Sequence, residues 1–358
     1  MPGRVRNGTA RPSCAGEPLR VGVIGTGVAS AWFVDILRAR DDADCPVALR
    51  SRGGDVHEAA ERLGVRVVDD PAAFFADDLD AVVVASPSGL HAEHVGAALE
   101  RGLHVLVEKP IAIRSSDVEP LIALAEARDL RFGVVFQRRA DPVYTHVART
   151  IGAGALGRIV GVALTLPYLR DDAYYASAAW RGTWALDGGG VLMNQGIHLL
   201  DVLVWWFGEP VAVHALAATL AHDVEVEDCA AVALRFAAGP AAGALGSVLA
   251  TTAAAPGWPH RLDVLGSRGS VTIEGERVVR WDVDAAPPDT VVDDADRAAA
   301  AARDPRATDT RNHARVVADF LAAVRNGRAP LVDAREGQRS LRFVERVYAA
   351  AGLDGTGS

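Results

Sequence analysis

A short apolar segment near the start of the chain runs directly into a Gly-x-Gly turn and then into a helical pattern. Residues 19–24 have the pattern of a buried strand, Gly25-Thr26-Gly27 follows at once, and apolar residues then recur with helical spacing through Leu37. Ser30 stands where a third glycine or alanine usually falls. This order is typical of the first unit of a dinucleotide-binding sheet, in which the helix N-terminus holds the pyrophosphate.

The alternation of strands and helices continues to about residue 138. Helical patterns separate most of the further strand-like runs, which lie at 47–49, 65–68, 80–85, 102–107 and 131–136. Short buried strands that alternate with helices predict a doubly wound parallel sheet of the α/β class. We therefore predict that residues 19–138 form an NAD(P)-binding Rossmann domain. Residues 1–18, which are polar, are predicted to be a flexible leader.

The pattern changes after residue 138, where strand-like segments follow one another with few helices between them. They lie at 158–169, 211–220, 228–237, 243–254, 260–266 and 270–281, with helical patterns near 188–207 and 311–326. The stretch 285–305 is interpreted as a surface loop with a short helix. Consecutive strands predict a large, open, mostly antiparallel sheet backed by helices. Residues 139–358 are therefore assigned to an α+β second domain.

Composition narrows the class of ligand. The 358 residues are 50% apolar and 23% charged, which fits two globular domains. A net charge of −9 argues against nucleic acid and anionic membrane surfaces as partners. Cys14, Cys45 and Cys229 lack the spacing of a disulfide framework or zinc site, and His91 with His94 lacks an evident third ligand, so no metal is assigned. We expect a cytoplasmic protein that binds a small molecule and no membrane.

Lysine occurs once among the 37 cationic residues, at Lys109. It follows a buried strand and lies between Glu108 and Pro110. In open α/β sheets ligands bind at the carboxyl ends of the strands, so Lys109 is expected at the cofactor crevice. A lysine can lower its pKa and exchange a proton with a substrate oxygen, whereas an arginine stays charged. Lys109 is therefore a candidate catalytic residue; the alternative is a solvated surface lysine.

A second candidate centre follows Asp187. The glycines at 188–190 are predicted to let a substrate approach the backbone closely. Asn194, His198 and Asp201 then fall on one face of a predicted helix, about one turn apart. This spacing predicts an oriented acid/base at His198, although a buried hydrogen-bond network would give the same pattern.

Together these motifs resemble the Gfo/Idh/MocA oxidoreductase family over about residues 19–348. The resemblance is carried by Gly25-Thr26-Gly27, Ala85-Ser86-Pro87 with His91, Glu108-Lys109-Pro110, Gln137-Arg138-Arg139 and the glycine-rich segment that ends at His198 and Asp201. It implies hydride transfer between nicotinamide and a ring carbon of a sugar, nucleotide sugar or cyclitol. It also implies a homo-oligomer, a dimer or tetramer, formed through the open C-terminal sheet.

The resemblance also implies roles for individual residues. Lys109 contacts the reacting oxygen, His198 is the usual acid/base, and Asn194 binds substrate at a position that is commonly Asp in inositol-type members. The motifs and the resemblance together predict these cofactor contacts: Gly25, Thr26, Gly27, Val28, Ala29, Ser51, Arg52, Ser86, Pro87, His91, Glu108, Lys109 and Gln137.

The end of the second strand bears on the choice of cofactor. Rossmann proteins specific for NAD usually have an acid there, but this chain has Arg50-Ser51-Arg52. An acid would repel the 2′-phosphate of NADP, whereas an arginine would bind it. NADP(H) is therefore favoured over NAD(H), with Ser51 and Arg52 as contacts; the alternative is that the two arginines are solvated surface charges.

The stretch from Tyr174 through Trp184 to His198 looks more like family members that act on activated or acidic sugars, such as nucleotide-sugar 3-dehydrogenases. Arg170, Tyr174 and Arg181 are predicted substrate contacts, with either arginine binding a carboxylate or phosphate. Their alternative is a structural role. Two other functions stay open: an enzyme that retains NAD⁺ and oxidises its substrate transiently to allow elimination, and a non-catalytic dinucleotide sensor.

Overall fold

The computed structural model describes residues 17–288, 294–304, 306 and 309–353, so the proposed leader lies almost wholly outside the described residues. The chain divides into two compact units, one of residues up to 137 with 310–338 and the other of 138–309 with the residues from 339 onward. The segment 310–338, which the sequence pattern placed in the second domain, thus belongs to the first unit. A chain that crosses back in this way cannot be divided by a single boundary.

The first unit contains a parallel sheet. Its strands are β1 (Leu19–Ile24), β2 (Ala43–Asp44), β3 (Val47–Leu49), β4 (Arg66–Val68), β5 (Ala81–Val84), β6 (His104–Val107) and β7 (Phe132–Val134). Its first helices are α1 (Val28–Arg38), α2 (Val56–Leu63), α3 (Pro71–Phe75), α4 (His91–Leu99) and α5 (Val118–Ala127).

The order of these strands is β4-β3-β1-β5-β6-β7, with β2 also paired to β1, and all pairs are parallel. Every residue of β5 and β6 is buried, as expected for strands covered by helices on both faces. The order reverses between β1 and β5, which creates a topological switch point at their carboxyl ends. The predicted Rossmann sheet is confirmed.

The second unit contains a mostly antiparallel sheet. Its strands are β8 (Ile159–Pro167), β9 (Pro210–Ala218), β10 (Cys229–Phe236), β11 (Leu245–Thr251), β12 (Arg261–Gly266), β13 (Ser270–Glu274) and β14 (Arg277–Asp282). The order is β14-β13-β12-β8-β11-β10-β9, and only the β8–β11 pair is parallel among these described strands. The predicted strand 270–281 is in fact a hairpin that turns at Gly275, whose φ is +59°.

The remaining helices are α6 (Pro142–Gly152), α7 (Asp172–Ala176), α8 (Ile197–Phe207), α9 (Asp294–Arg303), α10 (Arg311–Asn326) and α11 (Ala334–Ala350). A π-helical turn, Val191–Gly196, precedes α8 where one continuous helix was predicted. Helix α6 was not predicted, although Asp141 caps it by accepting hydrogen bonds from the N–H groups of Val143 and Tyr144. Within the described ranges, no helix has the length and apolar character needed to cross a bilayer.

Candidate active site

The turn after β1 contains two glycines, and the absence of a side chain serves a different purpose at each. Gly25 has a φ of +122°, and a Cβ there would overlap the carbonyl oxygen of Ala85. A Cβ on Gly27 would meet no described atom within 4 Å. Gly27 is the N-cap of α1 and has no side chain to cap the first N–H groups of that helix. The turn therefore leaves space and N–H donors beside a helix N-terminus, which fits a pyrophosphate.

The end of β3 is surrounded by arginines. Arg50 is tied down: its Nη1 donates to Gly54 O at 3.0 Å, and its Nη2 pairs with Asp69 at 3.2 Å. Arg52 is exposed and Ser51 is half-buried beside it. Arg62 on α2 donates to the carbonyl oxygen of Thr26, inside the glycine turn. Arg62 was not predicted as a site residue, because only the packing of α2 brings it back to the turn.

His91 holds two loops of the first unit together. One ring nitrogen lies 2.7 Å from Pro110 O and the other 2.9 Å from Ser86 O. Burial lowers the pKa of His91 to about 4. His94 lies 2.8 Å from the hydroxyl of Ser86. Both ring nitrogens of His91 therefore face main-chain oxygens, which gives it a role in positioning these loops, and its contact with the cofactor stays a prediction.

Lys109 is half-buried and follows β6, at the carboxyl edge of the parallel sheet. Its main-chain N–H donates to Glu108 Oε2 at 3.0 Å. Burial raises the pKa of Glu108 to about 7, while the Lys109 charge opposes that rise. The other oxygen, Oε1, is buried and has no hydrogen-bond partner among the described residues, and the same holds for Gln137 Oε1. These acceptors fit hydroxyl or amide donors of a bound dinucleotide.

The glycine-rich segment of the second unit has a different role from the predicted one. Gly189 has a φ of +151°, and a Cβ there would overlap the hydroxyl of Tyr348. A Cβ on Gly190 would overlap the carbonyl oxygen of Glu227. These two glycines therefore make room for the protein's own Tyr348 and Glu227. Internal packing is therefore a sufficient reason for these two glycines, and close approach of a substrate to this backbone stays a prediction.

Asn194 and His198 are half-buried, whereas Asp201 is completely buried. The Asn194 amide donates to Asp187 Oδ1 at 2.7 Å. The carboxylate of Asp201 forms a two-point ion pair with Arg139, at 2.9 and 2.7 Å, and accepts from the Ser340 hydroxyl at 2.7 Å. Asp201 thus belongs to a buried hydrogen-bond network, the alternative explanation of the spacing of Asn194, His198 and Asp201.

The two predicted anion-binding arginines differ. Arg170 is 5% exposed, and its Nη1 donates to the main-chain oxygens of Leu169 and Ala302 at 2.7 and 2.8 Å. It stabilises the backbone there, which supports the structural alternative, and its contact with substrate stays a prediction.

Arg181 is more accessible and lies beside the predicted substrate contact Tyr174. Its Nη1 donates to the Tyr174 hydroxyl at 2.8 Å, and its guanidinium lies 4.7 Å from the ring centre of Trp180. The same hydroxyl accepts from Gln195, adjacent to Asn194, at 3.4 Å. Tyr174 therefore links Arg181 to the segment that carries Asn194. Across the described residues, no group of His, Cys, Asp or Glu side chains is arranged to hold a metal ion.

Comparison with known proteins identifies the family. The model of the oxidoreductase family with an NAD-binding Rossmann fold, Gfo/Idh/MocA, matches residues 19–136, and the model of the Gfo/Idh/MocA C-terminal domain matches residues 144–272. Myo-inositol 2-dehydrogenase of Thermotoga maritima is 29% identical over 266 residues, 72% of this chain and 76% of that protein.

Two further proteins are similar. The scyllo-inositol 2-dehydrogenase (NADP(+)) of Bacillus subtilis is 27% identical over 59% of this chain and 58% of its own length. The structure of the WlbA dehydrogenase from Bordetella pertussis, in complex with NADH and UDP-GlcNAcA, is 28% identical with a TM-score of 0.81, and covers 94% of this chain and 97% of that one. The chain therefore belongs to the Gfo/Idh/MocA family of NAD-binding oxidoreductases.

Proposed function

We propose that this protein is an NAD(P)-dependent dehydrogenase or ketoreductase acting on a ring hydroxyl or ketone of a sugar, nucleotide sugar or cyclitol. The observation that carries the proposal is the sole lysine, half-buried at the carboxyl edge of the parallel sheet beside buried Glu108. When bound, the nicotinamide supplies the chemistry that accepts or donates hydride. The chain supplies the position of the cofactor and the movement of the proton.

The residues of the first unit divide into binding and proton-transfer roles. The turn from Gly25 to Ala29 binds the pyrophosphate, while Ser86 and Pro87, braced through His91, line the nucleotide edge. Glu108 and Gln137 accept hydrogen bonds from the cofactor through their buried oxygens. Lys109 contacts the reacting oxygen of the substrate and exchanges its proton.

The residues of the second unit bind substrate and share proton transfer. His198 acts as an acid/base and Asn194 holds a substrate hydroxyl or carbonyl. Arg181, with Tyr174 and the face of Trp180, is suited to a carboxylate or phosphate group. This favours an acidic or nucleotide-linked sugar over a neutral cyclitol, and the similarity to the WlbA dehydrogenase, solved with UDP-GlcNAcA, supports that preference.

A turnover panel tests the proposal. The purified protein is incubated with NAD⁺ or NADP⁺ and with nucleotide sugars, uronates, hexose phosphates and inositols, and the reduced cofactor is followed by absorbance. We expect reduction of the cofactor with at least one anionic sugar. Product formation with tightly retained NAD⁺ and no net reduction would support the elimination enzyme instead. Dinucleotide binding without any turnover would support a sensor.

Cofactor preference has its own test at Arg52. We propose that NADP(H) is preferred over NAD(H), since Arg52 is exposed at the end of β3 and Arg62 also reaches the glycine turn. Arg52→Ala is expected to weaken NADPH binding by about 10- to 100-fold, the value of one or two charge-assisted hydrogen bonds, and to leave NADH binding unchanged. Fluorescence titration of both reduced cofactors measures this.

The control for that titration is Arg66→Ala, because Arg66 begins β4 at the amino edge of the sheet, away from the nucleotide edge. It should change neither affinity. Equal binding of NADPH and NADH by the unaltered protein would exclude the NADP preference.

The outward face of the second sheet supports a homo-oligomer, a dimer or tetramer. Leu216 on β9 and Leu249 on β11 are 78% and 52% exposed, and both lie opposite Ala231 of β10. Contiguous exposed apolar surface is unusual on a monomer.

We also propose that the protein works in the reducing cytoplasm, because Cys45 and Cys229 are both free thiols.

Substituting this face is expected to dissociate the oligomer. Leu216→Glu introduces a charge where a second copy would bury the leucine, so light scattering after size exclusion should report monomers. Leu331→Glu is the matched control, since Leu331 is 44% exposed in the first unit. An unaltered protein that is monomeric at micromolar concentration would refute this assignment.

A further inference from the structure

The start of the π-helical turn Val191–Gly196 is held by one distant residue, Glu227. Its Oε2 accepts a hydrogen bond from Gly190 N at 2.9 Å, and its Oε1 accepts from Leu192 N at 2.9 Å. Its main-chain oxygen accepts from Val191 N at 3.0 Å. Glu227 is 2% exposed. Three successive N–H groups therefore donate hydrogen bonds to one residue that lies 35 to 37 positions further along the chain.

A distant cap is needed because no local one fits. The first N–H groups of a helical segment have no partners within it, and a side chain at the N-cap usually satisfies them. Gly190 is the N-cap here and has no side chain; a Cβ would overlap the carbonyl oxygen of Glu227. A carboxylate also interacts favourably with the positive end of a helical segment.

Tyr348 fixes the orientation of this carboxylate. Its hydroxyl donates to Glu227 Oε1 at 3.0 Å and lies against Gly189. The carboxylate thus accepts from three donors, the N–H groups of Gly190 and Leu192 and the hydroxyl of Tyr348. A glutamine amide in the same place would turn its NH₂ group toward one of these N–H groups. Burial raises the pKa of Glu227 to about 7, while hydrogen bonds from Leu192, Gly190 and Tyr348 oppose the rise. An assay at about pH 8 therefore examines the ionised form.

The capped turn carries Asn194 and continues directly into α8, which carries His198. Both side chains are half-buried, whereas the other residues from 191 to 204 are buried. We propose that Glu227, oriented by Tyr348, is a positioning residue that sets the rotation of this turn and thereby presents Asn194 and His198 to the substrate. The presentation to substrate rests on the proposed function, while the effect on the two side chains does not.

The test compares two buried carboxylate caps in the same unit. Asp228, the next residue, accepts hydrogen bonds from the N–H groups of Leu220, Ala221 and His222, which precede β10 and lie outside the capped turn. Glu227→Gln removes the cap of the turn, and Asp228→Asn removes a cap of the same kind elsewhere. Tyr348→Phe removes only the orienting hydroxyl.

At about pH 8, Glu227→Gln is expected to lower kcat by about 10- to 100-fold, as for a misplacement of reacting groups near 1 Å, with the KM for the dinucleotide unchanged. Tyr348→Phe should show a smaller loss of kcat in the same direction. The kcat of Asp228→Asn should stay within about threefold of the unaltered protein, because Asp228 caps a segment that carries neither Asn194 nor His198. Equal losses in the Gln and Asn variants, or an unchanged kcat in Glu227→Gln, would overturn the proposal.

A second measurement does not depend on turnover. Hydrogen exchange at Gly190, Val191 and Leu192 should accelerate in Glu227→Gln but not in Asp228→Asn, and the ring NMR signals of His198 should shift only in the former. Signals of His198 that stay unchanged while the three amides lose protection would reject the positioning role. If no substrate of the panel is turned over, these signals still decide the inference, so the two failures are distinguishable.

Discussion

Replacing Lys109 by methionine is expected to lower kcat by about 10²- to 10⁴-fold, a far larger change than in dinucleotide affinity, because one proton-transfer group is lost and the turn at Gly25 is not touched. Lys109→Arg is the sharper variant, since it keeps the charge but removes the exchangeable proton. Single-turnover rates and fluorescence titration of the cofactor measure the two effects separately. A fully active arginine variant would mean that Lys109 only steers the substrate.

The same substitution should change how stability depends on pH. The pKa of Glu108 is raised from 4.5 to about 7 by burial, with the Lys109 charge opposing that rise. In the folded state the carboxyl group therefore keeps its proton to a higher pH than in the unfolded chain, and its contribution to stability falls as pH rises through this range. Without Lys109 the pKa rises further, so Lys109→Met should lose more unfolding free energy at pH 8 than at pH 5.

Denaturant unfolding at both pH values checks this expectation. The double variant Glu108→Gln, Lys109→Met serves as the control, because it has no carboxyl group to ionise at this position. If the loss in the single variant were the same at pH 5 and pH 8, the charge of Lys109 would not act on Glu108.

Gly190→Ala is expected to destabilise the protein by about 3 kcal/mol or more, because its Cβ would overlap the carbonyl oxygen of Glu227 and force the capped turn to move. Gly27→Ala is the matched comparison. Gly27 has a φ of −82°, which any residue adopts, and its Cβ would meet no described atom within 4 Å. We expect its stability to change by no more than about 1 kcal/mol and its dinucleotide affinity to fall.

Unfolding curves and cofactor titration of the two alanine variants separate these effects. An alanine at residue 190 without loss of stability would refute the packing of Glu227 against this glycine. Unchanged cofactor binding by Gly27→Ala would refute the assignment of the turn to the pyrophosphate.

The features that the sequence predicted correctly depend on neighbours along the chain. Helix α10 was predicted at 311–326 and is observed over the same residues, since its apolar period is local. The parallel sheet follows in the same way from short apolar runs that alternate with helices. Lys109 could be placed at the carboxyl edge of that sheet because the motif follows a strand directly.

The features that could not be predicted from the sequence depend on residues that are far apart in the chain. Asp201 has the helical spacing of an acid/base partner, but it pairs with Arg139, 62 positions earlier, and with Ser340, 139 positions later. Arg170 is turned inward to the carbonyl oxygen of Ala302, and Glu227 returns to cap the turn of Gly190. A buried charge takes the partner that the fold brings to it, because desolvation makes an unsatisfied charge costly. The family and the place of Lys109 after a buried strand could therefore be read from neighbouring residues, whereas the charged groups that are committed to the interior follow from the folded chain.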